Sequence, residues 1–183
     1  VFEGVASCFY LWINGQFAAY SQVSHATSEI RVSSYLHEGE NEIAVLVFKW
    51  CDGSYLEDQD MYRYSGIFRE VYLLFRPTAH IEDVFFLGNV GPDLGEAAPT
   101  LEVSLTEKAP LVWRFFSPDG ALLGKGESTD AHAVLSLPRV VSPRLWSDED
   151  PVLYRVEIEC AGEHFCLPVG LRRAEVCGGV MYL

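Results

Sequence analysis

Phe9-Tyr-Leu-Trp-Ile13, Asn14-Gly15, Gln16-Phe-Ala-Ala-Tyr20 is the stretch from which the fold can be read. Asn-Gly between two strand-like runs favours a type I′ turn, whose positive φ angles both residues tolerate. Phe9, Leu11 and Ile13 alternate with Tyr10 and Trp12, so the first strand has two unlike faces. Trp12 is expected as a buried sheet residue, with a sugar platform as the alternative. Outward from this hairpin, residues 28–36 read as a short strand and turn. His37-Glu-Gly-Glu-Asn41 completes the turn, with Gly39 supplying the permissive backbone. Residues 42–50 are β-branched and apolar and end on Trp50, the profile of a buried central strand. Residues 67–75 read as another strand.

Arg76-Pro77-Thr78 is the candidate boundary, because proline ends a strand ladder. Beyond it, strands are expected at 81–87, 101–105, 111–116, 121–126, 132–137, 153–160 and 164–169. Residues 88–99 read as loop, and Ser117-Pro-Asp-Gly120 and Ala161-Gly-Glu163 are turn signals. Seven short strands with regular turns and almost no helical pattern describe an immunoglobulin-like β-sandwich. The Cys…Trp…Cys framework of antibody domains is missing, so core packing alone must hold it.

Hydrophobic residues make up 49% of the 183 and aromatics 13%, enough for a packed core. A net charge of −13 argues against nucleic acid and anionic membranes as partners. Five cysteines are present: Cys8, Cys51, Cys160, Cys166 and Cys177. Their spacing matches no zinc site, and reduced thiols in a reducing compartment are the default. Cys160 and Cys166 flank a hairpin turn and are candidates to face each other. There is no signal peptide or apolar span. Val1-Phe2-Glu3-Gly4-Val5 starts inside a strand-like pattern, which reads as a piece of a larger protein.

Between the strands at 42–50 and 67–75 lies Ser54-Tyr-Leu-Glu-Asp-Gln-Asp60-Met-Tyr-Arg-Tyr-Ser65-Gly-Ile-Phe-Arg69. With Asp52, it places four acids within nine positions, beside Trp50, Tyr55, Tyr62 and Tyr64. Carboxylates accept hydroxyl hydrogen bonds or hold a hard cation, and ring faces cover apolar sugar faces. The plainer reading is a solvated acidic loop. Arg69 is read as an inward cation that must find a partner, and Glu57 or Asp58 is the expected one.

The order Asp52-Gly-Ser-Tyr-Leu-Glu-Asp-Gln-Asp60, Met-Tyr-Arg, Ser65-Gly-Ile-Phe-Arg69 resembles the sugar-binding domain of family 2 glycoside hydrolases, and within them the large bacterial β-galactosidases. Trp12-Ile-Asn-Gly-Gln, Gly39-Glu-Asn, Ala44-Val-Leu-Val47, Leu145-Trp-Ser with Pro151-Val-Leu-Tyr154, and Val169-Gly-Leu-Arg-Arg173 resemble further segments of that family in the same order. Tyr62 stands where the family usually has Trp. Residues 128–140 look short beside members whose insertion there reaches a neighbour's active site.

The resemblance implies an all-β chain in three parts. Residues 1–77 would be the C-terminal part of a sugar-binding, galactose-binding-like jelly roll. Residues 78–173 would be the sandwich, and 174–183 the lead-in to an absent catalytic barrel. It also implies roles: Asp60 as the acid that contacts the galactose 6-hydroxyl and a sodium ion, with Glu57, Asp58 and Arg69 as loop support. Sodium, and magnesium, would then be cofactors of the parent enzyme rather than of this chain. The parent would be a cytoplasmic homo-oligomer acting on β-galactosides. Retaining glycosidases need two carboxyl groups about 5 Å apart across the scissile bond. Glu57 and Asp60 share one loop and cannot flank a sugar ring, so this chain alone is expected to be inert. The alternatives are a stand-alone carbohydrate-binding module, or part of a β-glucuronidase or β-mannosidase.

Overall fold

The computed structural model describes all residues except 58–61, 63 and 183. The chain divides into two compact units, Val1–Phe75 and Arg76–Leu183.

The first unit is built on the hairpin. Strand β1 (Val5–Ala6) leads into β2 (Cys8–Ile13) and β3 (Gln16–Gln22). Asn14 and Gly15 turn between them with φ of 51° and 74°, as the type I′ reading requires. β4 (Ile43–Phe48) pairs antiparallel with the other side of β2, giving the order β3-β2-β4. Phe9, Leu11 and Ile13 point into a core with Phe2 and Val5. Tyr10 and Trp12 face the other way. Trp12 is half-buried rather than buried, in an aromatic cluster with Tyr10 and Phe17.

Two strand readings need correction here. β4 is an edge strand of this sheet, with Ile43, Leu46 and Phe48 exposed, not a buried central one. The run at 67–75 is no continuous strand. Only β5 (Gly66–Ile67) pairs with β1, and the pairing resumes one register later at Phe2–Val71. That one-residue offset is a bulge, which breaks the ladder and leaves Leu73, Leu74 and Phe75 exposed. The short strand expected at 28–36 is likewise reduced to a bridge at Ser28 and a 3₁₀ turn at Ser33–Tyr35. Before β5, the chain makes one helical turn, α1 (Ser54–Glu57).

The second unit is a sandwich. Its strands are β6 (Ile81–Leu87), β7 (Glu96–Ala97), β8 (Thr100–Leu105), β9 (Leu111–Phe116), β10 (Leu122–Ser128), β11 (His132–Ser136), β12 (Val140–Val141), β13 (Tyr154–Cys160) and β14 (Glu163–Val169). One sheet runs β10-β9-β13-β14 and the other β11-β8-β6, with β12-β7 as a small separate pair. Inward positions alternate as a sandwich demands: Leu111, Trp113 and Phe115 on β9, and Tyr154, Val156 and Ile158 on β13, all in one core. Gly126 sits opposite Trp113, where a Cβ would fall 2.7 Å from the indole. The missing side chain is what lets that ring lie flat. Tyr154 is buried, and its hydroxyl accepts from the Arg144 amide. Trp146 is only half-buried, against Gly170 and under Arg172.

Cys160 and Cys166 do not face each other. Cys160 pairs with Glu163 and Cys166 with Glu157, which lies three residues from Cys160, so the odd offset along β13 puts one sulfur in the core and the other on the surface. A last hairpin, β15 (Glu175–Cys177) and β16 (Val180–Tyr182), turns through Gly178-Gly179.

Candidate functional site

The acidic stretch leaves β4 at Phe48. Lys49 and Trp50 lead to a turn at Cys51–Gly53, and α1 follows. Ser54 closes this turn: its hydroxyl accepts from the Cys51 amide at 3.1 Å, and its own amide donates to the Cys51 carbonyl at 3.2 Å. At the end of α1, the Glu57 carboxylate accepts from both the amide and the hydroxyl of Ser24, each at 3.2 Å. Ser24 is buried, which gives this anchor its weight, because a hydroxyl hidden from water needs a partner. The chain reaches Ser24 through Val23, whose φ of 80° is a strained conformation for a β-branched residue.

Aromatic rings line the return path. Tyr62 and Tyr64 have centroids 6.4 Å apart, Tyr64 stacks on Phe68 at 5.2 Å, and His25 lies 5.2 Å from Phe68. The Arg69 guanidinium covers the Phe68 ring at 5.5 Å. Lys49 stands 6.0 Å over Trp50. Between these groups is a recess of about 40 Å³, lined by Ser24, His25, Trp50, Glu57, Tyr62 and Tyr64 among others. Small-molecule pockets run to roughly 300–1,000 Å³. The recess is thus far too small to enclose a sugar by itself, and what it exposes is ring faces beside the Glu57 carboxylate.

Of the residues singled out in the sequence, Glu57 lines this recess and is bonded to Ser24. Asp60 and Asp58 lie outside the described residues. Arg69 is exposed rather than inward. Its Nη1 donates to the backbone carbonyls of Glu3 (3.4 Å) and His25 (3.2 Å), while Glu57 is bonded to Ser24 instead. Arg69 thus bonds to main chain, and of its two expected partners Glu57 is held by Ser24 while Asp58 lies outside the described residues. Ser24, His25 and Phe68 were not foreseen. Ser24 is 33 positions from Glu57, and no local pattern announces the pair. Among the described residues, no group of three or more His, Cys, Asp or Glu is placed to hold a metal ion. No helix among them is long and apolar enough to cross a membrane.

Residues 1–77 match the family model described as the sugar binding domain of glycosyl hydrolases family 2. Over 100% of its length, the chain is 40% identical to a β-galactosidase of Staphylococcus xylosus, and it spans 18% of that protein. It is 39% identical to a β-galactosidase of Actinobacillus pleuropneumoniae over 98% of its length, again 18% of the relative. The chain thus spans less than a fifth of these two curated relatives. Among solved structures, β-glucuronidase 2 of Bacteroides uniformis matches 95% of this chain and 24% of its own, with a TM-score of 0.81 at 19% identity. Apo β-glucuronidase of Ruminococcus gnavus matches 99% of this chain and 34% of its own, with a TM-score of 0.77 at 17% identity. At such identities these structures speak for the fold alone. Residues 1–77 thus belong to the sugar binding domain of glycosyl hydrolases family 2, and the chain over its whole length is similar to part of these β-galactosidases.

Proposed function

We propose that this chain is the sugar-binding and sandwich portion of a retaining β-galactosidase that hydrolyses terminal β-D-galactosides. The observation that carries the reading is the match to β-galactosidases at 39–40% identity over essentially the whole chain. In this reading, the acidic loop forms one side of a substrate site whose catalytic carboxyl groups come from elsewhere in the protein. Asp60 takes a galactose hydroxyl and supplies one ligand to a sodium ion. Glu57 and Arg69 hold the loop that presents it, with Asp58 as further support. A single carboxylate is no cation site, so this chain's contribution is one donor, and magnesium belongs to the parent alone. A cytoplasmic homo-oligomer is part of the same proposal.

The test uses the full-length protein that carries this segment, assayed on nitrophenyl β-galactoside and nitrophenyl β-glucuronide. Preference for the galactoside, with kcat/KM reduced at least about 100-fold by Asp60→Asn, is the expected result; one preorganised polar contact to the transition state is worth that much. Preference for the glucuronide, or an unchanged Asp60→Asn enzyme, would overturn it. The chain alone is expected to hydrolyse neither substrate.

A further inference from the structure

The acidic stretch leaves the sheet through α1 and comes back to it at Phe68 and Arg69, and one short turn touches both sides. Val23–Ala26 is a β-turn closed by the Ala26 amide, which donates to the Val23 carbonyl at 3.1 Å. Its corner residues are Ser24 and His25. Ser24 takes the outgoing side: its amide and hydroxyl both donate to Glu57 Oε2 at 3.2 Å. His25 takes the returning side. Its carbonyl accepts from Arg69 Nη1 at 3.2 Å, and its ring lies 5.2 Å from Phe68 and 6.4 Å from Tyr64. The neck of the turn is itself tied. The Ser21 and Ser28 hydroxyls share a hydrogen bond of 2.7 Å, and Ser28 exchanges backbone hydrogen bonds with Phe2 at 2.8 and 2.9 Å. Two glycines make room for the groups that are gripped. A Cβ at Gly53 would fall 3.0 Å from Glu57 Oε1, and one at Gly4 would fall 2.8 Å from the Phe68 ring. Both side chains can therefore lie back against main chain, within reach of the same turn.

We propose that the Val23–Ala26 turn sets the separation of the two sides of the acidic stretch, and that Ser24 and His25 are positioning residues for the β-galactoside reaction. The second half rests on the galactosidase reading. Ser24 acts through Glu57, and His25 through Phe68 and Arg69. Because consecutive corner residues hold opposite sides, a displacement of the turn is passed to both. A misplacement of about 1 Å can cost about 100-fold in rate even from a residue remote from the chemistry. Ser24→Ala removes one of two bonds to Glu57 and leaves the amide in place, so a smaller loss of about tenfold is expected.

The experiment has two arms. In this chain, Ser24→Ala should speed amide exchange several-fold at Leu56 and Glu57, whose amides donate to the Gly53 carbonyl. His25→Ala should do so at Phe68, whose amide donates to the Gly4 carbonyl. Amides of β2 should be unchanged in both. In the full-length protein that carries this segment, each variant should lower kcat/KM on nitrophenyl β-galactoside about tenfold, with the loss in kcat. Ser24→Ala added to Glu57→Ala should cost nothing further, because the two residues act as one unit. Exchange that stays at the wild-type rate, or that rises across β2 as well, would overturn the turn's hold on the loop. Unchanged kcat/KM, a loss in KM alone, or additive losses in the double variant would overturn the positioning role. A wild-type protein inert on the galactoside would instead overturn the galactosidase reading, and the exchange pattern would still decide whether the turn holds both sides.

Discussion

Replacing Glu163 by Gln tests how the sandwich unit is tied at its start. Arg76 grips Glu163 with two parallel bonds, Nε to Oε1 at 2.7 Å and Nη2 to Oε2 at 2.8 Å. The same Nη2 donates to the Ile81 carbonyl at 2.6 Å, and the Ile81 amide donates to Glu163 at 3.2 Å. The pair thus fastens the beginning of β6 to the β13–β14 hairpin. Side-chain exposures of 31% and 21% place it between a solvated pair, worth ~0–1 kcal/mol, and a buried charged hydrogen bond, worth ~1.5–3 kcal/mol. Glutamine keeps the shape and one acceptor but turns an NH₂ towards the guanidinium. We expect a loss of about 1.5 kcal/mol at pH 7, or roughly 5–10 °C in Tm for a domain of this size. The hydrogen bond from Arg76, then that from Ile81, holds the Glu163 carboxyl below its ordinary value against the opposing effect of desolvation. A lowered folded-state pKa stabilises above the unfolded value of about 4.3 and is lost as pH falls through the folded one. The difference between wild type and Glu163→Gln should therefore be full at pH 7 and shrink below pH 4. Thermal unfolding followed by near-UV circular dichroism at both pH values measures it. A Tm change under about 1 °C at pH 7, or an equal gap at both, would refute the reasoning.

Phe115→Ala removes a fully buried ring that stacks on Tyr154 at 5.7 Å and lies 6.5 Å from Phe86; a loss of about 3–5 kcal/mol is expected in denaturant titration. Gly126→Ala should force the Trp113 ring aside, costing about 1–3 kcal/mol with a red shift of tryptophan emission. Asn14→Ala should cost about 1–3 kcal/mol by equilibrium unfolding, because it loses a residue suited to positive φ and the side-chain bonds to Tyr35, Asn41 and the Glu42 amide.

Asn14 also shows where sequence reading succeeds and where it stops. Its place in a type I′ turn follows from two adjacent residue types, so it is legible. Its amide's bridge to Tyr35 and Asn41 joins segments 21 and 27 positions away, and nothing nearby encodes it. The sandwich was legible for the same local reason: period-two alternation and a turn such as Ser117–Gly120, where the Gly120 amide donates to the Ser117 carbonyl, need only neighbours. The runs at 42–50 and 67–75 misled because apolar content reports a tendency to be covered, not what does the covering. Leu46, Phe48, Leu74 and Phe75 carry the composition of a core and lie exposed. Ladder formation depends on the partner's register, and the one-residue slip between Val5–Ile67 and Phe2–Val71 is invisible in either strand alone. The loop follows the same logic. Its acids and rings are legible as residue types that suit a polyol, but the choice of Ser24 over Arg69 as the holder of Glu57 is a matter of tertiary geometry. Arg69 is the closer in sequence and has the opposite charge, yet Ser24 offers two donors from a buried position, and its amide and hydroxyl converge on one carboxylate oxygen. Charge complementarity alone therefore does not find the partner of Glu57, because a side chain's reach is set by where the backbone has already placed it.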